Sequence, residues 1–196
     1  TTPTRRSADY LERMTGLHHV HAVSCGLRAS DYTVSPTRNR GTIVFVGRVT
    51  SEKRIETAVR AVARLPKDLD ARLQIVGGGD LVDHLRSLAT ELGVGDRVEL
   101  TGLVSSEELR ARLTGGEVFV MPSTAELQSI ATMEAMASGL PVVAADAVAL
   151  PHLVDGNGYL FRPDDDADLA VQLEKVLRAS DDEWQALRHR SLQMVA

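Results

Sequence analysis

The sequence predicts an α/β domain in which a doubly wound, mostly parallel β-sheet carries helices on both faces. Short apolar runs alternate along the chain with amphipathic segments, which is the order that successive βαβ units produce. Runs such as IVFV (43–46) and PVV (141–143) are apolar at successive positions, as in strands covered on both faces. The connections are short, and no internal repeat or low-complexity tract interrupts the pattern.

The strands of this sheet are predicted from short apolar runs bounded by turn-forming residues. Seven runs qualify, at 19–24, 42–47, 71–77, 97–102, 117–122, 141–145 and 158–161. Open parallel sheets bind their ligands at the carboxyl ends of the strands. The residues that directly follow each run are therefore the first candidates for a functional site.

The helices are predicted from amphipathic segments that lie between these runs. Six segments qualify, at 51–64, 80–92, 105–113, 128–138, 166–179 and 181–194. In ETAVRAVARL (56–65), Ala58, Val59, Val62 and Leu65 fall on one face, as expected for a helix that packs on a sheet. Ser51 is the predicted N-cap of that helix, because its hydroxyl can accept a hydrogen bond from the first turn.

Composition restricts the class of protein further. With 196 residues, 43% hydrophobic and 25% charged, the chain is sized and composed as one soluble globular domain. A net charge of −5, from 22 basic and 27 acidic residues, gives no basic field for nucleic acid. No apolar run approaches the roughly twenty residues that a membrane-spanning helix needs.

The expected compartment is the cytoplasm. The single cysteine, Cys25, cannot form an internal disulfide, which is typical of a reducing environment. The first twenty residues are polar and contain no apolar segment of the kind found in a signal peptide. Because the chain opens without methionine, it is either a fragment or a processed product, and the sequence leaves these two open.

Two cations follow the second predicted strand. Arg48 comes directly after TIVFVG, and Lys53 lies five residues later, at the predicted start of a helix. Two positive side chains next to free helix N–H groups favour a diphosphate, because both contributions attract negative charge. The alternative is a solvent-exposed turn in which neither side chain has a ligand.

Two carboxylates eight residues apart follow the fifth predicted strand. Glu126 belongs to the loop or to the first helical turn, and Glu134 lies inside the predicted helix. Eight residues of ideal helix rise about 12 Å and rotate about 80°. Two acceptors at that separation, with free N–H groups between them, suit a ligand that has hydroxyls at both ends and negative charge in the middle. The alternative is a carboxylate that favours the helix dipole together with a solvated helix face.

Other chemically suggestive segments are explained more simply. GGGD (77–80) is read as a tight turn, because Val82 occupies the position where a dinucleotide fingerprint needs a small residue. The Asp-x-Asp within 163–169 precedes an amphipathic helix and is predicted to cap it. His18, His19 and His21 lack a partner at metal-ligand spacing.

Two further residues lie at positions of interest: Cys25 has a structural interpretation, and Asp146 has two possible roles. Cys25, in VSCGL, is predicted to be a small buried residue beside a turn. Asp146, at the end of the sixth predicted strand, either accepts a ligand hydroxyl or caps the following turn.

Taken together in chain order, these motifs resemble one family. The segments GRVTSEK, LQIVGGGD, VELTGLVSSEEL, VFVMPSTAE, EAMASGLPVVAAD and LPHLVDGNGYLFRPDDDADLA are similar to the C-terminal, donor-binding domain of the GT-B glycosyltransferases of family 4. The resemblance covers roughly residues 40–180, and it implies a Rossmann-like domain that is one half of a GT-B fold. VHAVSCGLRASDYTVSP is similar to the entry into that domain. Residues 1–18 then read as a tail of the preceding acceptor domain or a linker, and 19–196 as the nucleotide-sugar-binding domain.

The resemblance implies roles for the charged residues. Arg48 and Lys53 would contact the donor diphosphate and support the leaving group without a metal ion. In the E-x7-E pattern of the family, Glu126 would contact hydroxyls of the donor sugar and Glu134 the ribose. Arg48, Lys53 and Glu126 are thus the expected catalytic residues.

The resemblance also implies roles for uncharged positions. Backbone N–H groups of Gln128, Ser129 and Ile130 would complete the phosphate site, and the loop at Leu103 and Val104 would hold the nucleobase. Many relatives have a Phe-Gly or similar pair where this chain has Leu127 and Gln128, which would place bulkier side chains near the sugar.

The implied activity is that of a retaining hexosyltransferase. Its donor would be a UDP-, GDP- or ADP-sugar, its acceptor a lipid, glycan or small molecule, and it would need no cofactor. The acceptor-binding domain would lie in an N-terminal half outside this chain, so the chain alone is expected to bind the donor and to transfer little. Peripheral membrane contact through that half stays open. The alternatives are a non-catalytic sugar-nucleotide-binding module and a sugar-nucleotide epimerase of the same fold.

Overall fold

A six-stranded parallel sheet forms the centre of the molecule in a computed structural model that describes all 196 residues. The strand order is β3-β2-β1-β4-β5-β6, and every neighbouring pair is parallel. The strands are β1 (Thr42–Val46), β2 (Arg72–Val76), β3 (Val98–Gly102), β4 (Val118–Met121), β5 (Val142–Ala145) and β6 (Gly158–Phe161). The predicted α/β class and six of the seven predicted strands are thereby confirmed.

Seven α-helices accompany the sheet. They are α1 (Arg5–Thr15), α2 (Ile55–Arg64), α3 (Val82–Glu91), α4 (Ser106–Thr114), α5 (Ile130–Ala137), α6 (Asp166–Arg178) and α7 (Asp181–Val195). All six predicted helices are present, with ends that differ by a few residues. None of the seven combines the length and the apolar character that crossing a membrane would require.

The N-terminal region differs from its prediction. The run 19–24 is not a strand: only Ala22 forms a bridge, to Thr2, and the segment is largely exposed because no neighbouring strand covers it. The helix α1 was not predicted, since its segment carries few apolar residues. Its ends nevertheless have ordinary signals, because the Thr4 side chain caps the first turn and Gly16 adopts the left-handed conformation at the C-terminus.

The apolar core lies on both faces of the central strands. Every residue of β4 and β5 is buried, as are the four residues Ile43–Val46 of β1, whereas the edge strands β3 and β6 are partly exposed. The largest buried side chains include Phe45, Phe119 and Phe161, one from each of three strands. Burial on both faces is the physical reason that these strands are apolar at successive positions.

The strand order reverses between β1 and β4. Chain connections from β1 run toward β2 and β3 on one side, and those from β4 run toward β5 and β6 on the other. The loops that leave the carboxyl ends of β1 and β4 therefore diverge and open a crevice between them, which is the usual ligand position in such sheets.

The loop after β1 is longer than predicted. Ser51–Lys53 form a short 3₁₀ turn, Arg54 adopts a left-handed conformation with φ of 51°, and α2 begins only at Ile55. The prediction that Ser51 caps the helix is therefore wrong. Because the helix starts after Lys53, this lysine lies on the loop beside the crevice rather than on the helix surface.

The glycines of GGGD are required by the close approach of two loops. The loop after β2 packs against the loop after β1, where Val49 N–H donates to the Gly78 carbonyl over 2.9 Å. A Cβ atom on Gly77 would lie 2.0 Å from the Gly47 carbonyl oxygen, and one on Gly79 would lie 2.2 Å from that of Val49. Backbone contact, rather than a tight turn alone, thus explains this glycine run.

A buried ion pair fixes the far side of the sheet to the last two helices. The Arg38 side chain, 7% exposed, donates to the carboxylate of Glu117 over 2.6 Å and to the carbonyls of Val176 and Leu177 at the end of α6. The indole N–H of Trp184, on α7, donates to the Glu117 carbonyl. Arginine therefore satisfies helix C-terminal carbonyls that would otherwise lack partners.

Replacing Gly77 should destabilise the fold because of this loop contact. Gly77→Ala forces a methyl group onto the Gly47 carbonyl at a φ of 139°, and we expect a loss of about 1–3 kcal/mol in the free energy of unfolding. Urea denaturation measures it. Gly26→Ala is the control, since a Cβ there meets nothing within 4 Å. A Gly77→Ala variant as stable as this control would contradict the close approach.

Candidate functional site

Two adjoining depressions lie at the carboxyl ends of the strands. The β1–β4 crevice has a volume of about 560 Å³ and is lined by Pro3, Cys25, residues 46–48, Lys53, Met121 and residues 126–131. The β2–β3 cleft, of about 210 Å³, is lined by residues 46–48, 76–78, Leu103, Val104 and Leu109. Because residues 46–48 line both, the two depressions are continuous across the end of β1.

An ion pair spans the β1–β4 crevice. Lys53, from the loop after β1, donates to the carboxylate of Glu126, from the loop after β4. Both side chains are largely withdrawn from water, with 16% of Lys53 and 10% of Glu126 exposed. Two partly desolvated charges of this kind stabilise each other, and each would be costly to leave alone.

Arg48 stands at the junction of the crevice and the cleft. Its side chain is 76% exposed and contacts the Glu52 carboxylate over 3.2 Å. Glu52 is held from the other side by the Thr50 hydroxyl, and this hydrogen bond is the main reason that the pKa of Glu52 is lowered. An exposed guanidinium with a single weak partner can turn toward an anion at small cost.

The two loops that carry Lys53 and Glu126 are joined at the Glu52 carbonyl. The Glu52 carbonyl accepts hydrogen bonds from the Ser123 hydroxyl over 3.1 Å and from the Thr124 N–H over 3.3 Å. These bonds join the turn after β1 to the end of β4, on neighbouring strands. These bonds help to fix the width of the crevice at Lys53 and Glu126.

The N-terminus of α5 faces the crevice with free N–H groups. Ser129 adopts a left-handed conformation with φ of 63°, and α5 begins at Ile130. The N–H groups of Gln128, Ser129 and Ile130 have no hydrogen-bond partner within the chain. Helix N-termini of this kind favour anions, because the N–H groups and the helix dipole both present positive charge.

Glu126 precedes α5 instead of lying on it. The left-handed Ser129 separates Glu126 from the helix, so the separation expected for eight residues of regular helix does not apply to Glu126 and Glu134. Glu126 is buried and lines the crevice. Glu134 is half-buried on α5 and does not line the crevice; its carboxylate accepts a hydrogen bond from the Tyr32 hydroxyl over 2.6 Å.

The Gln128 side chain binds the entry segment at Ser24 and Cys25. It is buried, accepts from the N–H of Cys25 over 2.9 Å and donates to the Ser24 hydroxyl over 2.7 Å. The expectation that a bulkier polar side chain at position 128 lies near the sugar stays a prediction, since Gln128 lines the crevice while its side chain is held by the entry segment. Leu127 is half exposed and does line the crevice, while its carbonyl accepts from the hydroxyls of Thr4 and Ser7.

The loop after β3 forms one wall of the β2–β3 cleft. Leu103 is 89% exposed, and a Cβ on Gly78 would lie 3.3 Å from its Cγ, so the leucine side chain covers the glycine backbone. Val104 and Leu109 complete the apolar wall. A flat apolar slot beside a cationic crevice can accept an aromatic ring joined to an anion.

The structure also shows the positions of Cys25, Asp165 and Asp146. Cys25 is exposed and lines the crevice, so the prediction that it is buried is wrong; its segment is held by Gln128 but not covered by any element. Asp165 caps α6, as predicted. Asp146 is exposed and does not line the crevice.

No three His, Cys, Asp or Glu side chains come together in an arrangement that could hold a metal ion. The expectation that the site works without a metal remains a prediction.

The sequence does not predict the Tyr32–Glu134 contact or the contacts of Gln128 with Ser24 and Cys25. Each joins residues more than 100 positions apart, and neither belongs to a periodic pattern or a short motif. The segment SDYTVSP carries no local signal that its tyrosine meets a carboxylate of α5.

The fold and the crevice define a Rossmann-like α/β domain of the type that forms one half of GT-B glycosyltransferases. The chain belongs to the family glycosyl transferases group 1, which it matches over residues 40–179.

Known proteins of this class are similar to the chain. It is 35% identical over 137 residues to an uncharacterised glycosyltransferase of Methanocaldococcus jannaschii, covering 69% of this chain and 35% of that protein. It is 35% identical over 140 residues to a sulfoquinovosyl transferase of Arabidopsis thaliana, covering 69% of this chain and 26% of that protein. The chain thus spans about a quarter to a third of these relatives.

A solved structure extends the likeness to nearly the whole chain. A mutant of S. aureus TarM, in complex with Fondaparinux, alpha-GlcNAc-glycerol and UDP, superposes with a TM-score of 0.89 at 18% identity. The alignment covers 98% of this chain and 39% of TarM. At this identity the likeness concerns the fold.

The ion pair across the crevice should couple Lys53 and Glu126 energetically. In a double-mutant cycle of Lys53→Met and Glu126→Gln, we expect a coupling of about 1–3 kcal/mol in the free energy of unfolding. Urea denaturation of the four proteins measures it. The exposed Arg86–Asp83 pair of α3 is the control and should couple by less than about 0.5 kcal/mol. A coupling no larger than the control would mean that the two loops are not joined in this way.

Proposed function

We propose that this chain is the donor-binding half of a retaining glycosyltransferase of family 4 and that it binds a nucleoside diphosphate sugar in the β1–β4 crevice. The observation that carries the proposal is the convergence of Lys53, Arg48 and the free N–H groups of α5 on the crevice that also contains Glu126. A cationic crevice with a carboxylate at its end suits a ligand that is anionic in the middle and rich in hydroxyls at one end.

The diphosphate would lie between Lys53 and the start of α5. There it would receive hydrogen bonds from the N–H groups of Gln128, Ser129 and Ile130 and positive charge from Lys53 and Arg48. In the ligand-free chain Lys53 is paired with Glu126. A bound diphosphate would share or replace that carboxylate as the partner of the ammonium group.

The hexose and the nucleoside would extend in opposite directions from the diphosphate. When the diphosphate takes over part of the interaction with Lys53, the Glu126 carboxylate can accept hydrogen bonds from sugar hydroxyls at the buried end of the crevice. The nucleobase would enter the β2–β3 cleft beside Leu103 and Val104, which adjoins the crevice at Arg48. Glu134 would contact the ribose between them.

The chemical contribution of these residues would be electrostatic. Breaking the bond between the sugar and the diphosphate builds negative charge on the departing phosphate, and Lys53, Arg48 and the α5 N–H groups are placed to stabilise it. Glu126 would hold the sugar in a fixed orientation toward an acceptor that attacks from the same face as the leaving group. Attack on that face retains the configuration of the donor.

The acceptor site lies outside this chain under the proposal. The chain spans 35% and 26% of its two relatives, which leaves room for an N-terminal acceptor-binding domain across the crevice. The separated chain would then bind the donor and transfer little. We also propose that the protein resides in the cytoplasm, where sugar nucleotides occur. The N-terminal half could make peripheral contact with a membrane.

Two other functions use the same fold. A non-catalytic sugar-nucleotide-binding module would not need Glu126 beside the diphosphate site, and a sugar-nucleotide epimerase would need acid and base groups at the reacting carbon. The crevice offers one carboxylate, Glu126, paired with Lys53. This arrangement favours the transferase.

Calorimetric titration with UDP, GDP and ADP tests the proposal. We expect one diphosphate to bind to the 196-residue chain, because its base fits the cleft better than the other two. Lys53→Ala should weaken that binding about tenfold or more. Arg48→Ala should weaken it by less, because the Arg48 side chain is exposed and water screens its charge.

Arg86→Ala, which removes an exposed arginine of α3, is the matched control and should bind like the unmodified chain. Failure of all three diphosphates to bind, or equal binding by the Lys53→Ala and Arg86→Ala variants, would refute the proposed site.

A further inference from the structure

Glu134 has one partner in the chain, and it comes from a distant segment. The Tyr32 hydroxyl donates to Glu134 Oε1 over 2.6 Å, across 102 positions of sequence. Tyr32 directly follows the short 3₁₀ turn Ala29–Asp31, which packs against α5. No lysine or arginine forms an ion pair with Glu134.

This hydrogen bond has the features of a strong, oriented contact. Its length is that of a hydroxyl bonded to an ionised carboxylate, and Tyr32 is half-buried. The Tyr32 hydroxyl is protonated at neutral pH and donates the hydrogen bond; burial, followed by the contact with Glu134, raises its pKa further above the ordinary tyrosine value. The bond uses Oε1 and leaves Oε2 of Glu134 without a partner in the chain.

The pair lies next to elements that border both depressions. Glu134 is one turn beyond the α5 N-terminus that faces the β1–β4 crevice. On the other side, the charge of Arg110 on α4 acts on the Tyr32 hydroxyl, and its neighbour Leu109 lines the β2–β3 cleft. A role for this carboxylate in binding requires that a ligand joining the crevice to the cleft pass within reach of it.

We infer that Tyr32 is a positioning residue that holds Glu134 so that its free oxygen accepts hydrogen bonds from the ribose hydroxyls of the donor. The inference rests on the proposed function. Tyr32 and the ribose hydroxyls are all donors, and an ionised carboxylate has acceptor sites for several of them at once. The tyrosine thus does not compete with the ligand but fixes the side chain that receives it.

A purely structural role for Tyr32 makes a different prediction. If the tyrosine ring only packed between the entry segment and α5, then phenylalanine would serve equally, and any loss on substitution would affect all ligands alike. If the hydroxyl orients Glu134, its removal should weaken only the part of binding that depends on the ribose hydroxyls.

Binding of ribose and deoxyribose nucleotides separates these possibilities. UDP, GDP and ADP and their 2′-deoxy and 3′-deoxy forms are titrated into the 196-residue chain and into Tyr32→Phe. For the diphosphate that binds, we expect the unmodified chain to prefer the ribose form about tenfold, and Tyr32→Phe to reduce that preference to about twofold. Affinity for the deoxy forms should change little. Tyr159→Phe, at a tyrosine of β6, is the control and should keep the full preference.

A second set of variants keeps the test independent of small changes in folding. Glu134→Gln should also reduce the ribose preference, and adding Tyr32→Phe to it should cause no further loss, because the two residues act as a unit. Additive losses in the double variant would overturn the inference.

The possible failures are distinguishable. Equal weakening of ribose and deoxyribose forms in Tyr32→Phe, an unchanged preference in that variant, or no preference in the unmodified chain would each overturn the role of Tyr32 while leaving the donor site intact. Failure of every diphosphate to bind to the unmodified chain would overturn both proposals.

Discussion

The reversal of strand order between β1 and β4 is the constraint on which the functional surface depends. It forces the loops after these two strands apart, and the separation would leave a water-filled gap at the carboxyl edge of the sheet. Two contacts hold the gap at a fixed width: the Glu52 carbonyl, which binds the end of β4, and the Lys53–Glu126 ion pair, which spans the opening. Arg48 and the N-terminus of α5 line the same crevice and so lie beside these contacts.

The ion pair also explains how a charged crevice is tolerated without a ligand. Lys53 and Glu126 are both largely withdrawn from water, and each neutralises the other, so the fold does not depend on an anion from solution. The free N–H groups at the start of α5 remain on one side of the pair, and Arg48 remains exposed on the other. A diphosphate would meet positive groups on several sides, whereas a hydroxyl-rich group would meet Glu126.

The pattern of apolar residues predicts most of the strands of the sheet. Strands such as β1 and β4 are buried on both faces, so they are apolar at successive positions and differ clearly from surface segments. The pattern is insufficient for 19–24, which is apolar in part but has no neighbouring strand. The helices α2 and α5 begin later than predicted because Arg54 and Ser129 adopt left-handed conformations, which residues of these types rarely adopt. Arg48, Lys53 and Glu126 could be predicted from their positions after strands. The Tyr32–Glu134 and Gln128–Cys25 contacts could not, because each depends on how the entry segment folds back over α5.

A crystal structure of the chain with a bound nucleoside diphosphate tests the central claim most directly. The account predicts the diphosphate in the β1–β4 crevice, within hydrogen-bond distance of Lys53 Nζ and of the N–H groups of Ser129 and Ile130, with the nucleobase against Leu103 and Val104. A diphosphate bound elsewhere on the sheet edge, with the Lys53–Glu126 crevice filled only by water, would contradict it.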